Sequence, residues 1–523
     1  MPATIAVCAV VAFVLRAYQV TRPGYLLGVT EYDDGVMFGD ALQFVSGVIP
    51  YRDFAVVQPP GSMLVVAPLA LLAKVTGTAW GLALARILTV CVDTVNVILL
   101  GVLVRHRGAL TAGIACGLYA VYPDALTAAH TFMLEPWINL CCLAGAVLVF
   151  DGDQLTATAS RRLAWGGALL GFGVTVKIWA LLPLALIGLL LAVTARRLRP
   201  VATLAGGAVL GLGLPVLPFL VLAPGPLVRD VVVSQLVRNA GGSTISLTSR
   251  LADLAGLQGL SPRSSQTLVL VIIGIVVAAL CAGAYLGRAR RPTALDAYAL
   301  LGAVAVTAML LWPRLYYSHY GAFDGPFLAL AIALPAGRLA ARPAVTPAVG
   351  PAAGRAPGSA AGPAALQAAA GALVAILLVA MGVSQLRTES REQGVQVSAE
   401  ADRLIPAGAC VVTDSSAFTV AADRFAAGAP GCPPMVDAFG TLFALTGGHQ
   451  RGATAAMLRP VVAVWQTTLA RARYVWLTSD TIGQIPWNSQ LYGYLTGHFR
   501  LIGFAGQPTP WRNVPRPGLY VRT

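Results

Sequence analysis

The stretch Glu31-Tyr32-Asp33-Asp34-Gly35, followed by Tyr51-Arg52-Asp53-Phe54 and Gln58-Pro59-Pro60-Gly61, decides how the rest of the chain is read. Five of the 22 acidic residues in 523 positions fall between Glu31 and Asp53. Around them, 57% of residues are hydrophobic and 11% are charged, with a mean hydropathy of +0.73. That composition excludes an ordinary soluble globular chain and implies a polytopic membrane protein. Carboxylates are costly near a bilayer, so a cluster beside a first apolar helix points to chemistry. The plainer alternative is a solvated loop with ordinary surface charge.

Outward from this stretch, apolar runs of spanning length lie near 3–20, 78–104, 108–125, 131–151, 164–178, 179–194, 201–223, 266–287, 294–313, 318–336 and 364–385. The sequence thus predicts a mostly helical chain with about 11 transmembrane helices plus interfacial ones. The pair at 164–194 is short enough for a shallow hairpin, and 59–76, with its prolines, suits the interface. The N-terminal run has no basic flank before it and reads as a retained helix, not a cleaved signal. Arginines at 105/107, 161/162, 196/197/199, 288/290/291 and 338/342/355 fall in alternate loops, which are expected to be cytoplasmic. Arg16 and Arg22, at the outer end of the first helix, run against that pattern.

This division gives a membrane domain over 1–342 and a Pro/Gly/Ala-rich cytoplasmic linker over 343–363. A last membrane helix over 364–385 and an extracytoplasmic domain over 386–523 complete it. In that last part, Ala409–Thr413, Arg473–Leu477, Phe499–Gly503 and Gly518–Arg522 read as short strands of a small α/β domain. Its Cys410 and Cys432 can form a disulfide if the domain lies outside the cytoplasm, whereas the other six cysteines sit in apolar runs. The net charge of +14 is carried almost wholly by arginine and suits anionic lipid headgroups; no basic tract interleaved with aromatics suggests nucleic acid as a partner.

Asp33 and Asp34 are consecutive and cannot both point one way on regular structure, so one faces a site while the other bonds locally. A carboxylate there can act as a general base on a sugar or lipid hydroxyl, or as a metal ligand. Asp40 and Asp53 read as structural. Glu135 in Leu134-Glu135-Pro136, Lys177 in Val176-Lys177-Ile178, and Arg314 in Pro313-Arg314-Leu315 are expected at the same outer level as Asp33. Each has a plainer reading: helix-dipole charge for Glu135, and snorkelling or anchoring for Lys177 and Arg314. Lys177 stands out as one of two lysines among 36 basic residues, a compact cation suited to phosphate. His319 and Tyr320 are candidate substrate contacts, with a satisfied interfacial histidine as the alternative. Arg86 and Asp93 share one helix face and pair with each other or with neighbouring helices.

Taken together, the acidic pair, Tyr51-Arg52-Asp53, Pro59-Pro60-Gly61, the Leu-Glu-Pro start and the Val-Lys hairpin resemble the GT-C glycosyltransferases over roughly residues 1–335. The protein O-mannosyltransferase and lipid A aminoarabinose transferase group is the nearest in pattern. The resemblance implies transfer of a sugar from a polyprenyl-phosphate carrier to a glycan, lipid or protein acceptor outside the cytoplasm. It also implies Asp33 as catalytic acid/base, Glu135 as a second acid and Lys177 at the carrier phosphate. Relatives can carry lysine before Pro-Pro where this chain has Gln58. That departure leaves a phosphate contact missing or supplied by Arg52, Arg229 or Arg238. A divalent metal stays open, and a lipid or glycan transporter is the alternative from another class. The chain shows no internal repeat of the kind transporters often carry.

Overall fold

The computed structural model describes residues 1–195, 197–236, 245–257, 263–286, 291–313, 315–340, 361–449 and 453–523, with 361–370 as backbone alone. Arg238, Arg314 and residues 343–360 of the linker therefore lie outside the described residues. Among those described, eight helices are long and apolar enough to cross a membrane, or nine if the pair Ala109–Ala120 and Pro123–Ala129, bent by 57°, is one span. The sequence led us to expect about 11. The difference falls on Glu135–Val149 and Ser160–Val176, which reach 15 and 17 residues, short of a full crossing.

The first helix, α1 (Pro2–Val20), is not anchored by surface charge at its C-terminal end. Arg16 is fully buried, 2.6 Å from Asp93, and also donates to the Ala12, Ala120 and Tyr119 carbonyls. Arg22 donates to the Ser390 carbonyl. The charges that ran against the loop pattern are thus internal fasteners, so they do not bear on loop charge counting. Arg86 likewise does not pair with Asp93; each meets a different element.

Helices Ser160–Val176 and Leu198–Leu222 pack at backbone contact. A Cβ on Gly167 or Gly171 would strike the Leu204 or Ala208 carbonyl, and one on Gly207 or Gly211 the Ala164 or Ala168 carbonyl. Small residues permit such approach where lipid supplies no hydrophobic drive. Ser160–Val176 ends where Lys177 turns extended, at φ −152° and ψ 131°, before the chain resumes as a helical turn. That break swings the lysine out of the helical path.

The C-terminal part folds around a four-stranded sheet made of Val411–Thr413, Tyr474–Leu477, Gly518–Arg522 and Phe499–Gly503, in that spatial order. The first two are parallel and the remaining pairings antiparallel. All four expected strands are present, and Cys410 is bonded to Cys432. This domain is docked on the membrane body, not tethered to it. Val29 and Val395 exchange backbone hydrogen bonds of 2.8 and 2.9 Å. Gly35 lies against the backbone of Ala417 so closely that a Cβ there would overlap it. Asp423 caps the helix Thr78–Val104, accepting from Ala79 N–H at 2.8 Å and the Thr78 hydroxyl at 3.1 Å. A long membrane helix thus takes its N-terminal cap from a residue more than 340 positions later.

Candidate active site

The acidic stretch forms the helix α2 (Tyr32–Val45), with Glu31 in extended backbone before it and both aspartates in the first turn. Negative charge is favourable at a helix N-terminus. Successive residues diverge around a helix, so the two carboxylates part. Asp34 turns inward and is fully buried against Arg86, at 2.6 and 2.9 Å. Arg86 also donates to the carbonyls of Tyr25, Leu26 and Gly28 at 2.7–2.9 Å, so it gathers the loop leading into α2. Either aspartate of the pair is a catalytic candidate from sequence; its arginine partner keeps Asp34 off the cavity wall.

Asp33 turns the other way, into a cavity of about 280 Å³. Val36, Met37 and Asp40 follow it on the same face of α2, three, four and seven residues on. Gln58 and Gln235 form a second wall; Lys177 with Tyr317, His319 and Tyr320 forms a third. The α/β domain supplies the roof with Asp437, Phe439, Phe443, Thr481 and Gln484. Asp437 caps the helix Ala438–Leu445 by accepting from Gly440 N–H, and it also accepts from the Tyr32 hydroxyl at 2.7 Å. The roof is thereby bonded to the first residue of α2.

Within the cavity, Asp33 stands 3.9 Å from His319 Nε2, a loose approach beside the tight Asp34–Arg86 pair. Burial pushes the Asp33 carboxyl above the ordinary range; His319 opposes that and Asp437 adds to it. Glu31 is pushed up to about 7 by burial and by the neighbouring Asp33 and Asp34. Lys177 Nζ lies 2.5 Å from Glu135 and sits over the rings of Trp179 and Tyr320, at 3.7 and 4.7 Å from their centroids. Glu135, read from sequence as a second catalytic acid, is buried behind the lysine and does not line the cavity. It holds a cation in place in a poorly solvated setting.

The other sequence candidates divide. His319, Tyr320 and Gln58 line the cavity. Arg52 is half exposed and clasped to Asp53 at 2.8 and 3.0 Å, and Arg229 is bonded to Asp230 at 2.6 Å; neither lines the cavity. His130 is buried with Nδ1 2.7 Å from the Tyr25 hydroxyl, a scaffold role. Sequence reasoning missed Gln235, Asp437 and the aromatic roof, and it read Asp40, which lines the cavity, as structural. Asp40's position seven residues after Asp33 on one helix face was the available signal. Nothing local marked the roof. Among the described residues, no group of three His, Cys, Asp or Glu side chains is placed to hold a metal ion.

No family model matches the sequence, and neither does any curated protein. Solved structures do resemble it. ArnT from Cupriavidus metallidurans bound to undecaprenyl phosphate aligns at 14% identity with a TM-score of 0.55, covering 99% of this chain and 97% of that one. Its apo form aligns at 16% identity and 0.54 over the same shares. The Archaeoglobus fulgidus oligosaccharyltransferase complex with zinc and sulfate reaches 0.48 at 12% identity, covering 98% of this chain and 73% of that one. At such identities the likeness speaks to architecture, and it runs through membrane body and α/β domain alike: the chain has the GT-C fold of the ArnT structures.

Proposed function

We propose that the protein is a membrane glycosyltransferase that moves a sugar from a polyprenyl-phosphate carrier to a cell-envelope glycan, lipid or protein on the extracytoplasmic side. The observation that carries this reading is the pairing, on one small cavity, of a loosely held carboxylate, Asp33, with a lysine, Lys177, whose charge is secured from behind by Glu135. A structure of the same fold, that of ArnT, holds undecaprenyl phosphate, a carrier of the required class.

In the reaction, the acceptor hydroxyl gives its proton to the Asp33 carboxylate as its oxygen bonds the anomeric carbon. The bond from that carbon to the carrier phosphate breaks, and the phosphate leaves with the electron pair. Lys177 stabilises the charge that collects there. A carboxyl held above its ordinary range is a stronger base once ionised, which suits the role. Displacement in one step inverts the anomeric centre. Trp179 and Tyr320 shield the lysine and keep it compact.

The test is to incubate the purified, lipid-reconstituted protein with radiolabelled polyprenyl-phosphate sugars and candidate acceptors. Transfer with inversion supports the reading. Movement of the carrier across the bilayer without transfer identifies a transporter instead.

A further inference from the structure

Asp40 presents an anomaly that the proposed chemistry does not use. It is 4% exposed, lies on the cavity wall, and no described residue donates a hydrogen bond to either of its oxygens. Buried carboxylates are normally paired or fully hydrogen-bonded, and an unpaired one is strongly destabilising. Asp93, Asp296 and Asp437 follow that rule in this chain, each buried with bonded partners, and Glu389, which shares the lack of donors, does not line this cavity. A carboxyl left open on a cavity wall instead suggests a partner that arrives with the substrate.

The surroundings restrict that partner's chemistry. The charged group that acts on Asp40 is Asp437, of like sign, so an anion is disfavoured and the carrier phosphate belongs at the Lys177 end. Burial and Asp437 push the Asp40 carboxyl well above its ordinary range, toward a form that both donates and accepts. A hydroxyl does both as well. Asp40 stands two turns from Asp33 on the same face of α2, about 10 Å along the axis, which leaves room for one sugar ring between the two carboxylates. The cavity volume, about 280 Å³, is at the small end for ligand sites and suits a monosaccharide. Gln58 and Gln235 flank the same space with further amide and carbonyl groups.

We infer that Asp40 is a specificity-determining residue that receives the ring hydroxyls of a single sugar, either that of the donor or the terminal ring of the acceptor. This deepens the transferase reading and rests on it, but binding tests it separately. Full-length protein in lipid nanodiscs is titrated with undecaprenyl phosphate alone and with the same carrier bearing mannose, glucose or arabinose. Methyl glycosides of those sugars form the acceptor arm. In wild type, one sugar should tighten binding over the bare carrier, or one glycoside should bind. In Asp40→Leu and Asp40→Ala that sugar-dependent part should fall roughly 10- to 100-fold, while affinity for the bare carrier stays unchanged. Deoxy analogues lacking the contacted hydroxyl should bind wild type as weakly as the parent sugar binds Asp40→Ala. The Leu variant, close to Asp in shape, guards against misfolding of the Ala variant.

A sugar-dependent part that is absent in wild type, or equal in wild type and Asp40→Leu, overturns the role of Asp40. If sugar binding depends on Asp40 but no donor is ever turned over, the transferase reading fails while this assignment stands.

Discussion

Asp34 and Asp33 are adjacent in sequence, yet they belong to two regions with opposite hydrogen-bond economies. On the inner side of α2, Arg86 spends its donors on Asp34, Thr30 and three backbone carbonyls, and Arg16 does the same with Asp93 and three more. On the cavity side, Asp33 meets His319 only at 3.9 Å and Asp40 meets no described donor. Buried charge paired with an arginine locks helices together; a carboxylate without a described donor on a cavity wall keeps its hydrogen-bonding capacity for what enters the cavity. Charge and burial do not make this distinction between Asp34 and Asp40, since both are buried and acidic.

The largest effect should come on the open side. Asp33→Asn is expected to lower transfer by roughly 10²–10⁴-fold with an unchanged melting curve in detergent; substantial residual turnover would remove Asp33 from its role. The same residue sets a pH limit. Its carboxyl titrates above the ordinary range and must be ionised to act, so activity should fall as pH drops through a value higher than that of an ordinary aspartate. A pH–rate profile whose acid limb lies at an ordinary aspartate value would contradict this.

On the saturated side, Arg86→Leu should leave Asp34 buried and unpaired and cost about 3–5 kcal/mol. Adding Asp34→Leu should recover part of that loss, measured by thermal unfolding in detergent. A fully additive double variant would mean that the pair is not the seal it looks like. Within the α/β domain, replacing Cys410 and Cys432 by serine should cost roughly 3 kcal/mol, because their bridge closes a loop of moderate length; denaturant unfolding followed through that domain reads it. Asp423→Ala should remove the cap of Thr78–Val104 at about 1 kcal/mol. Last, Arg52→Ala breaks an exposed pair and should move stability by less than about 0.5 kcal/mol with turnover unchanged. A large loss of turnover would bring Arg52 into the site.

Much of the fold was legible in the chain. Apolar runs mark helices because the bilayer demands that length and composition, and four β-rich segments after residue 386 marked the sheet. The divergence of Asp33 and Asp34 was readable as well, from helical periodicity alone. A lysine kept in an apolar run of a chain that nearly always uses arginine pointed to Lys177, and the tertiary structure shows it on the same cavity as Asp33. Which aspartate faces the cavity, however, depends on where Arg86 stands, 52 residues away.

What only tertiary structure decided has one common cause: contacts between residues far apart in sequence leave no local pattern. Glu135 became the lysine's support and not a wall of the site through a contact across 42 positions. Tyr32 and Asp437, 405 positions apart, bring the α/β domain over α2, so that a segment with no recognisable motif completes the cavity. Arg16 turned from a loop charge into a buried fastener for the same reason. Periodicity and composition are properties of neighbours along the chain, so they determined the elements. Ion pairing of buried groups is a property of neighbours in space, and it set Asp34 and Glu135 apart from the cavity wall.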